Sequence, residues 1–534
     1  MSGGPEHIIE PQKLPPIFWA IIILYLFGML FVGGYVSRRI KNTRGFFIAE
    51  GRLNPIVVGL SLMATYLSAL TMMALSGIAF GSADMTWAIQ LPFLILTAFV
   101  ITRFVLPRYR EAGVISVYEY LERRIHVSSR LMASFCFILL SIGRMGLVLF
   151  LPALAFHIVT GASLPLTIIV MGIVVTLYTV LGGIEAVVWT DAIQAVIFSM
   201  AAVLTIGYIF FDVHAAGGDF WLRALTPRPE DHGYKLRIIA RGLDYRQVVT
   251  AWLILQTIFE TIRIYGTQQD MTQRYMTTRS TAEANRSVWI AICGYIPLGF
   301  LFYFIGAALA VYYQVQPDPN VPALVAAKRS DAIYPYFVVT RLPVGTAGLV
   351  IAAIFAAAMS SIDSSMNSAS TVCVEDFYKR FVSVVTPAEH RKLALSDAPP
   401  RTAYLAVVQD PDRHCLRVAR GLTVLWGGLA TYMALLFMNI ASAQVAWSKI
   451  MGISTNGILG LMALAFLPFR VHRWAAVLGF VACYEALFIM MYCTKVNFLL
   501  WPVVGNLVCF FVALALNKVF SRDEQRRTPV ERTA

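Results

Sequence analysis

The 534-residue chain is 58% apolar and only 14% charged, a composition that excludes an ordinary multi-domain soluble protein and places it among polytopic membrane proteins. Its net charge of +13 does not signal nucleic acid, because the basic residues flank apolar segments instead of forming one basic domain. The seven cysteines are scattered, mostly within apolar stretches, with no paired spacing suited to zinc or a disulfide framework, and read as packing residues.

Taken in order, apolar runs near the roughly 20 residues that a bilayer core demands mark about thirteen spanning helices. They fall near 16–37, 54–80, 86–106, 130–159, 163–181, 187–212, 248–268, 287–313, 346–374, 418–438, 440–467, 474–493 and 498–518. Residues 1–15 lack a basic region and the first run has no small-residue cleavage site, so it is kept as a helix rather than a removable leader. Lysine and arginine concentrate in SRRIKNTRGF, RYREAGVISVYEYLERR and the tail after Lys518. Placing these in the cytoplasm puts the N-terminus outside and the C-terminus inside. The long polar insertion at 377–417 is too thin in apolar residues for its own core and reads as a solvated linker.

One stretch stands out. Ala356–Thr371, AAAMSSIDSSMNSAST, lies within an apolar segment, and on a helix its Ser360, Asp363, Ser364, Asn367, Ser368 and Thr371 fall on one face. Such a face suits a hard cation bound through oxygen, or close helix packing. A carboxylate at membrane depth favours the former, because an intramembrane charge is costly without a functional return. A second carboxylate, Asp191, lies in GGIEAVVWTDAIQ, more than a turn inside the helix that follows the glycine turn, with the serine-rich helix as its natural partner. Ser68 and Thr71 stand three apart in the second span, while Gln90 and Arg144 occupy the next two. The Arg144 guanidinium needs an anion, supplied by a carboxylate-bearing ligand or by Glu260 or Glu485. Glu260 and Arg263, three apart, are spaced to pair along their own helix.

Together GGIEAVVWTDAIQ, VISVYEYLERR, the TQQDMTQRYMTTRS loop and IAAIFAAAMSSIDSSMNSASTVCVEDFY resemble the sodium/solute symporter family, with its leucine-transporter type of fold. ATYLSALT, Gln90 and the SIGR of Arg144 look most like its bacterial sialic-acid branch. The resemblance implies an all-α protein with an N-terminal extra helix (1–53), a first inverted five-helix repeat (54–212) and an extracellular loop (213–247). A second repeat (248–467), two C-terminal helices and a cytoplasmic tail (468–534) follow. The first helix of each repeat is expected to be interrupted at mid-membrane. Neither interruption carries a proline or a clear glycine break in this sequence.

By the same resemblance, a principal sodium site uses the carbonyls of Ala64, Leu67 and Ala357 with the hydroxyls of Ser360 and Ser361. A second cation site uses Asp191, Ser360, Asp363 and Ser364. Asp363 stands where the sialic-acid branch looks to have serine, and two carboxylates in one small site hold a cation more tightly or share a proton. Ser68, Thr71, Gln90, Arg144 and Thr261 are the expected substrate residues, although Glu260, Thr261 and Arg263 depart from the branch. The implied function is sodium-driven symport of a small organic solute across the cell (inner) membrane, such as sialic acid, with no cofactor beyond the coupling ion, no enzyme chemistry and no nucleic-acid partner. A neutral sugar or polyol, a monocarboxylate, or a transporter-derived nutrient sensor are the alternatives.

Overall fold

The computed structural model describes residues 14–38, 40–81, 85–226, 236–240, 242–326, 329–385, 404–438 and 456–527. Nine helices among them are long and apolar enough to cross a membrane, or ten when a bent pair is counted as one span. The first, α1, runs Pro16–Ser37. The bent pair follows as α2 (Pro55–Tyr66) and α3 (Ala69–Gly81). The two halves meet at about half a right angle, 52°. The chain is extended at Leu67 (φ −93°, ψ 101°), so the expected mid-helix interruption is present without proline or glycine to mark it.

Thr86–Ala112 (α4) is the next span. A short amphipathic helix α5 (Val117–Arg124) leads into α6 (Val127–Thr160). The runs expected as two helices, 163–181 and 187–212, appear as one helical stretch α7, Leu164–Ala215, whose only non-helical residue is Gly183 (φ 50°, ψ −153°). Fifty-two residues of straight helix would measure about 78 Å, more than twice a bilayer core. The break at Gly183 therefore divides the stretch into two spans. Glycine is required there both by the positive φ and because a Cβ would fall 2.7 Å from the Phe46 ring.

The next helix, α8 (Thr250–Thr267), ends at Gln268, again a single extended residue (φ −85°, ψ 133°). TQQDMTQRY is not the expected loop. Gln269–Tyr275 is a seven-residue helix, α9, with every residue buried. Its polar side chains point into the bundle, where other helices supply their partners, and this outweighs the local loop-like composition. Beyond it lie α10 (Thr281–Val315) and the serine-rich α11 (Val344–Val372).

The insertion is more structured at its ends than a solvated linker. Val382–Val385 (β1) pairs in parallel with Tyr404–Val407 (β2), the one departure from helix in strand form among the described residues. The chain continues as α12 (Pro411–Phe437), α13 (Ile458–Ala465), α14 (Arg473–Cys493) and α15 (Trp501–Arg527). Of the expected 440–467 helix, residues 440–455 lie outside the described residues, and only α13 can be compared.

Residues Ala347, Gly348 and Val350–Val372 of α11 are all buried. The serine face is therefore shielded from lipid on every side, chiefly by α7, α6 and α1. In hydrocarbon each hydroxyl must find a partner. Ser361, Ser364, Ser365, Ser368, Ser370 and Thr371 do so by donating to the carbonyl three or four residues back.

Candidate functional site

The break in the first broken helix organises the site. Ala64, near the end of α2, presents its carbonyl to α11, where Ser360 Oγ lies 3.4 Å from Ala64 O and 3.2 Å from Ala357 O. Ser361 Oγ is 3.4 Å from the same Ala357 carbonyl. Four of the five oxygens expected at the principal sodium site thus come from two facing segments, joined by long hydrogen bonds. The fifth residue, Leu67, is the extended residue of the break. Neutral carbonyls and hydroxyls so arranged suit a hard monovalent cation.

One turn away is a polar cluster that is fully buried. Asp191 Oδ2 accepts from Ser61 Oγ at 2.7 Å, Thr65 Oγ1 at 3.3 Å and the Arg274 guanidinium at 2.8 Å. Arg274 also donates to Ser61 and Ser364, tying α9 to both α2 and α11. The other carboxylate oxygen, Asp191 Oδ1, is buried without a hydrogen-bond partner among the described residues. Asp363 does not open directly onto Asp191: its Oδ2 accepts from Tyr178 at 2.6 Å and its Oδ1 from Ser364 at 3.2 Å. The two carboxylates still lie within electrostatic reach, and Ser364, bonded to both Arg274 and Asp363, connects them. Tyr25 of α1 adds a wall, accepting from Gln194 at 2.9 Å and donating to the Met359 sulfur at 3.6 Å.

On the other side of the break is a cavity of about 250 Å³. Ser68 and Thr71, joined by a 3.0 Å hydroxyl contact, line it from α3 and the residue preceding it. Arg144 lines it from α6 and Gln90 from α4. Four of the five expected substrate residues therefore meet in one place. Thr261 is not among the lining residues; it is 2% exposed and bonds to Thr97 and to the Thr257 carbonyl. Gln90 is fixed by Tyr303, to which it donates, and by Thr257, from which it accepts at 3.2 Å.

The anion for Arg144 is neither of those named from the sequence. Arg144 donates to Asp270 Oδ2 at 2.7 Å and to the Thr65 carbonyl at 2.9 Å. Glu260 instead pairs with Arg263, at 3.0 and 2.6 Å, while Glu485 is exposed on α14. Asp270 and Arg274 stand four apart on α9, one bonded to the cavity arginine and the other to the cation cluster. Sequence reasoning missed both because they sit in a segment read as a loop. Their i, i+4 spacing and opposite charge were the available signal.

A buried oxygen cluster and a polar cavity sharing one broken helix define a membrane carrier. Comparison with known proteins agrees. Residues 46–397 match the model of the sodium:solute symporter family. The sodium/sialic acid symporter NanT of Aliivibrio fischeri is 30% identical over 96% of this chain and 95% of its own length. SiaT of Proteus mirabilis, also a sodium/sialic acid symporter, is 32% identical over 92% of each. A solved substrate-bound, outward-open Na+-coupled sialic acid symporter superposes with a TM-score of 0.77 at 28% identity, covering 95% of this chain and 98% of that one. The chain belongs to the sodium:solute symporter family: it is a multi-pass membrane transporter of leucine-transporter-type fold, and sodium is its coupling ion.

Proposed function

We propose that this symporter imports a small carboxylate-bearing solute of the sialic acid kind across the bacterial inner membrane, N-terminus outside and C-terminus inside. The observation that carries the reading is the convergence of Ser68, Thr71, Gln90 and Arg144 on a single cavity beside the Ala64, Ala357, Ser360 and Ser361 oxygens. An arginine with three neutral polar neighbours suits a carboxylate. The names of the 30% and 32% identical relatives supply the particular acid.

In this reading residues 54–212 and 248–467 are the two inverted repeats, each opening with a broken helix. Sodium among Ala64, Leu67, Ala357, Ser360 and Ser361 draws α2 onto α11 and favours the substrate-binding state. A second cation takes the bare oxygen of Asp191, with Ser360, Asp363 and Ser364. It competes for the charge of that carboxylate with Arg274, which holds the other oxygen at 2.8 Å, while the substrate carboxylate competes with Asp270 for Arg144. Both competitors ride on α9, so the two ligands loosen the same short helix, and each eases the binding of the other. Asp363 makes that second site responsive to protons as well as sodium.

The test is uptake of labelled N-acetylneuraminate into proteoliposomes. Accumulation should follow an inward sodium gradient, and Arg144→Gln should abolish it; accumulation without sodium would refute the reading. Replacing Asp363 by serine should change the pH profile of transport between about pH 5.5 and 8.5, a range chosen around neutrality. Superimposable profiles would remove Asp363 from the coupling site.

A further inference from the structure

A second hollow lies away from the transport site, at the end of α4. Helix α4 stops at Ala112 and Gly113 turns the chain with a positive φ of 62°. Helix α5 then folds back so that its Tyr120 and Arg124, four residues apart, line the same space as Arg108 and Glu111 of α4. The chain just past α13, from Phe466 to Pro468, completes a cavity of about 570 Å³. Both arginines are fixed in place, but by neutral groups. Arg108 lies over the Phe466 ring at 5.3 Å and donates to the Phe104 carbonyl. Arg124 donates to the Ala465 carbonyl at 2.9 Å and to that of Leu467. Neither has a carboxylate partner among the described residues, whereas Arg52, Arg130, Arg144 and Arg274 all do. Tyr120 is only 8% exposed, and its hydroxyl has no hydrogen-bond partner among the described residues, although it lies within electrostatic reach of both guanidiniums.

We infer that this hollow binds the phosphate of a monoanionic phospholipid, such as phosphatidylglycerol, from the leaflet it meets. Two rigid guanidiniums with unused N–H groups and a free phenol hydroxyl are donors in want of an acceptor, and a phosphodiester supplies acceptor oxygens. Charge balance selects a single negative charge, because two arginines and Glu111 leave the hollow with one positive charge uncancelled. The glycerol hydroxyls of the headgroup donate to Glu111, which has no hydrogen bond of its own among the described residues. A soluble phosphate would meet the same donors, but the setting favours a lipid. Phe99 and Phe104 are exposed on α4 ahead of Arg108, and Phe469 is exposed beside Pro468, so apolar side chains flank the hollow where acyl chains run. Basic pockets between spanning helices at the membrane rim take lipid headgroups for these reasons. The site shares no lining residue with the Arg144 cavity and stands independently of the transport reading.

The experiment is a lipid titration of the purified full chain in non-ionic detergent, read by native mass spectrometry. The probes are dioleoylphosphatidylglycerol, dioleoylphosphatidylcholine, sn-glycerol 3-phosphate and inorganic phosphate. One phosphatidylglycerol should bind about tenfold tighter than phosphatidylcholine, the difference that one charge-assisted hydrogen bond makes. Arg108→Gln should weaken it by about tenfold or more, and Tyr120→Phe, which keeps the ring and its packing, by about threefold to tenfold. Arg413→Gln removes a charge from an exposed site outside the hollow and should leave the affinity within about twofold. Neither soluble phosphate, at the concentration of the lipid, should displace it. Equal binding of the two lipids, or an equal loss in Arg413→Gln, would reduce the hollow to unspecific charge attraction and overturn the inference. Unchanged affinity in both Arg108→Gln and Tyr120→Phe would overturn it as well. Displacement by either soluble phosphate would assign the donors to a free anion and remove the lipid.

Discussion

Two buried aspartate–arginine pairs in this molecule use the same residue types to opposite ends. Just beyond the C-terminal end of α11, Asp376 Oδ1 takes two hydrogen bonds from Arg130, at 2.9 and 2.6 Å, and Oδ2 takes one each from Ser116 and Ser134. Both of its oxygens are satisfied, and Arg130 is further held by Glu122 at 2.7 Å. At the middle of the same helix bundle, Asp191 also faces an arginine and two hydroxyls, but all of them converge on Oδ2 and Oδ1 is left bare. A fully bonded buried pair has nothing to gain from an ion. One with an orphaned carboxylate oxygen holds a standing electrostatic deficit that an arriving cation removes. Charge and burial alone would not separate the two pairs; the count of bonds at each oxygen does.

The sharpest way to break this comparison is to remove each arginine's or aspartate's role in turn. Arg130→Ala strands Asp376 and should lower the unfolding free energy by about 3–5 kcal/mol, as removing one partner of a buried ion pair does. The loss, read from melting in detergent, should be the same with and without sodium. Asp191→Asn should instead lower the extra stability that sodium confers by the share of the second site, which reaches about 2.7 kcal/mol when the ion is at 100 times that site's dissociation constant, and leave the share of the principal site. An Asp191→Asn protein that sodium stabilises as well as wild type would show that the bare oxygen is not an ion ligand. A smaller effect is expected at Thr261. Thr261→Val removes the hydroxyl contact with Thr97 and should cost about 1 kcal/mol, while substrate affinity stays within about twofold because the residue lies outside the cavity lining. A larger loss of affinity would return Thr261 to the substrate site.

Much of this arrangement was legible in the sequence where apolar periodicity and intramembrane polarity speak together. The serine face of α11 and the depth of Asp191 follow from polar residues standing out against apolar runs, while the meeting of Ser68, Thr71, Gln90 and Arg144 in one site came from the family resemblance, since the sequence alone places them in three separate spans. What escaped were features set by tertiary contact. The two helix interruptions were expected from the resemblance, but no local signal marks their positions: Leu67 and Gln268 are ordinary residues whose extended backbone is imposed by packing and not by local preference. Asp270 and Arg274 lie in a polar segment that becomes helical only because α2, α6 and α11 satisfy its side chains. The strands at Val382–Val385 and Tyr404–Val407 are four residues each and pair across an intervening stretch, which no local pattern announces.

Helix α9 has one more consequence, for how the sequence can change. A helix on the outside of a bundle has a face turned to lipid, and substitutions there are absorbed with a period near 3.6 residues. All seven residues of Gln269–Tyr275 are buried, so no position has that latitude. In a saturation scan scored by growth on the transported solute, α14, with Trp474, Leu478 and Val481 exposed, should show a regular rise and fall in tolerance. The seven positions of α9 should form an unbroken intolerant block, even though they are among the most polar in the membrane.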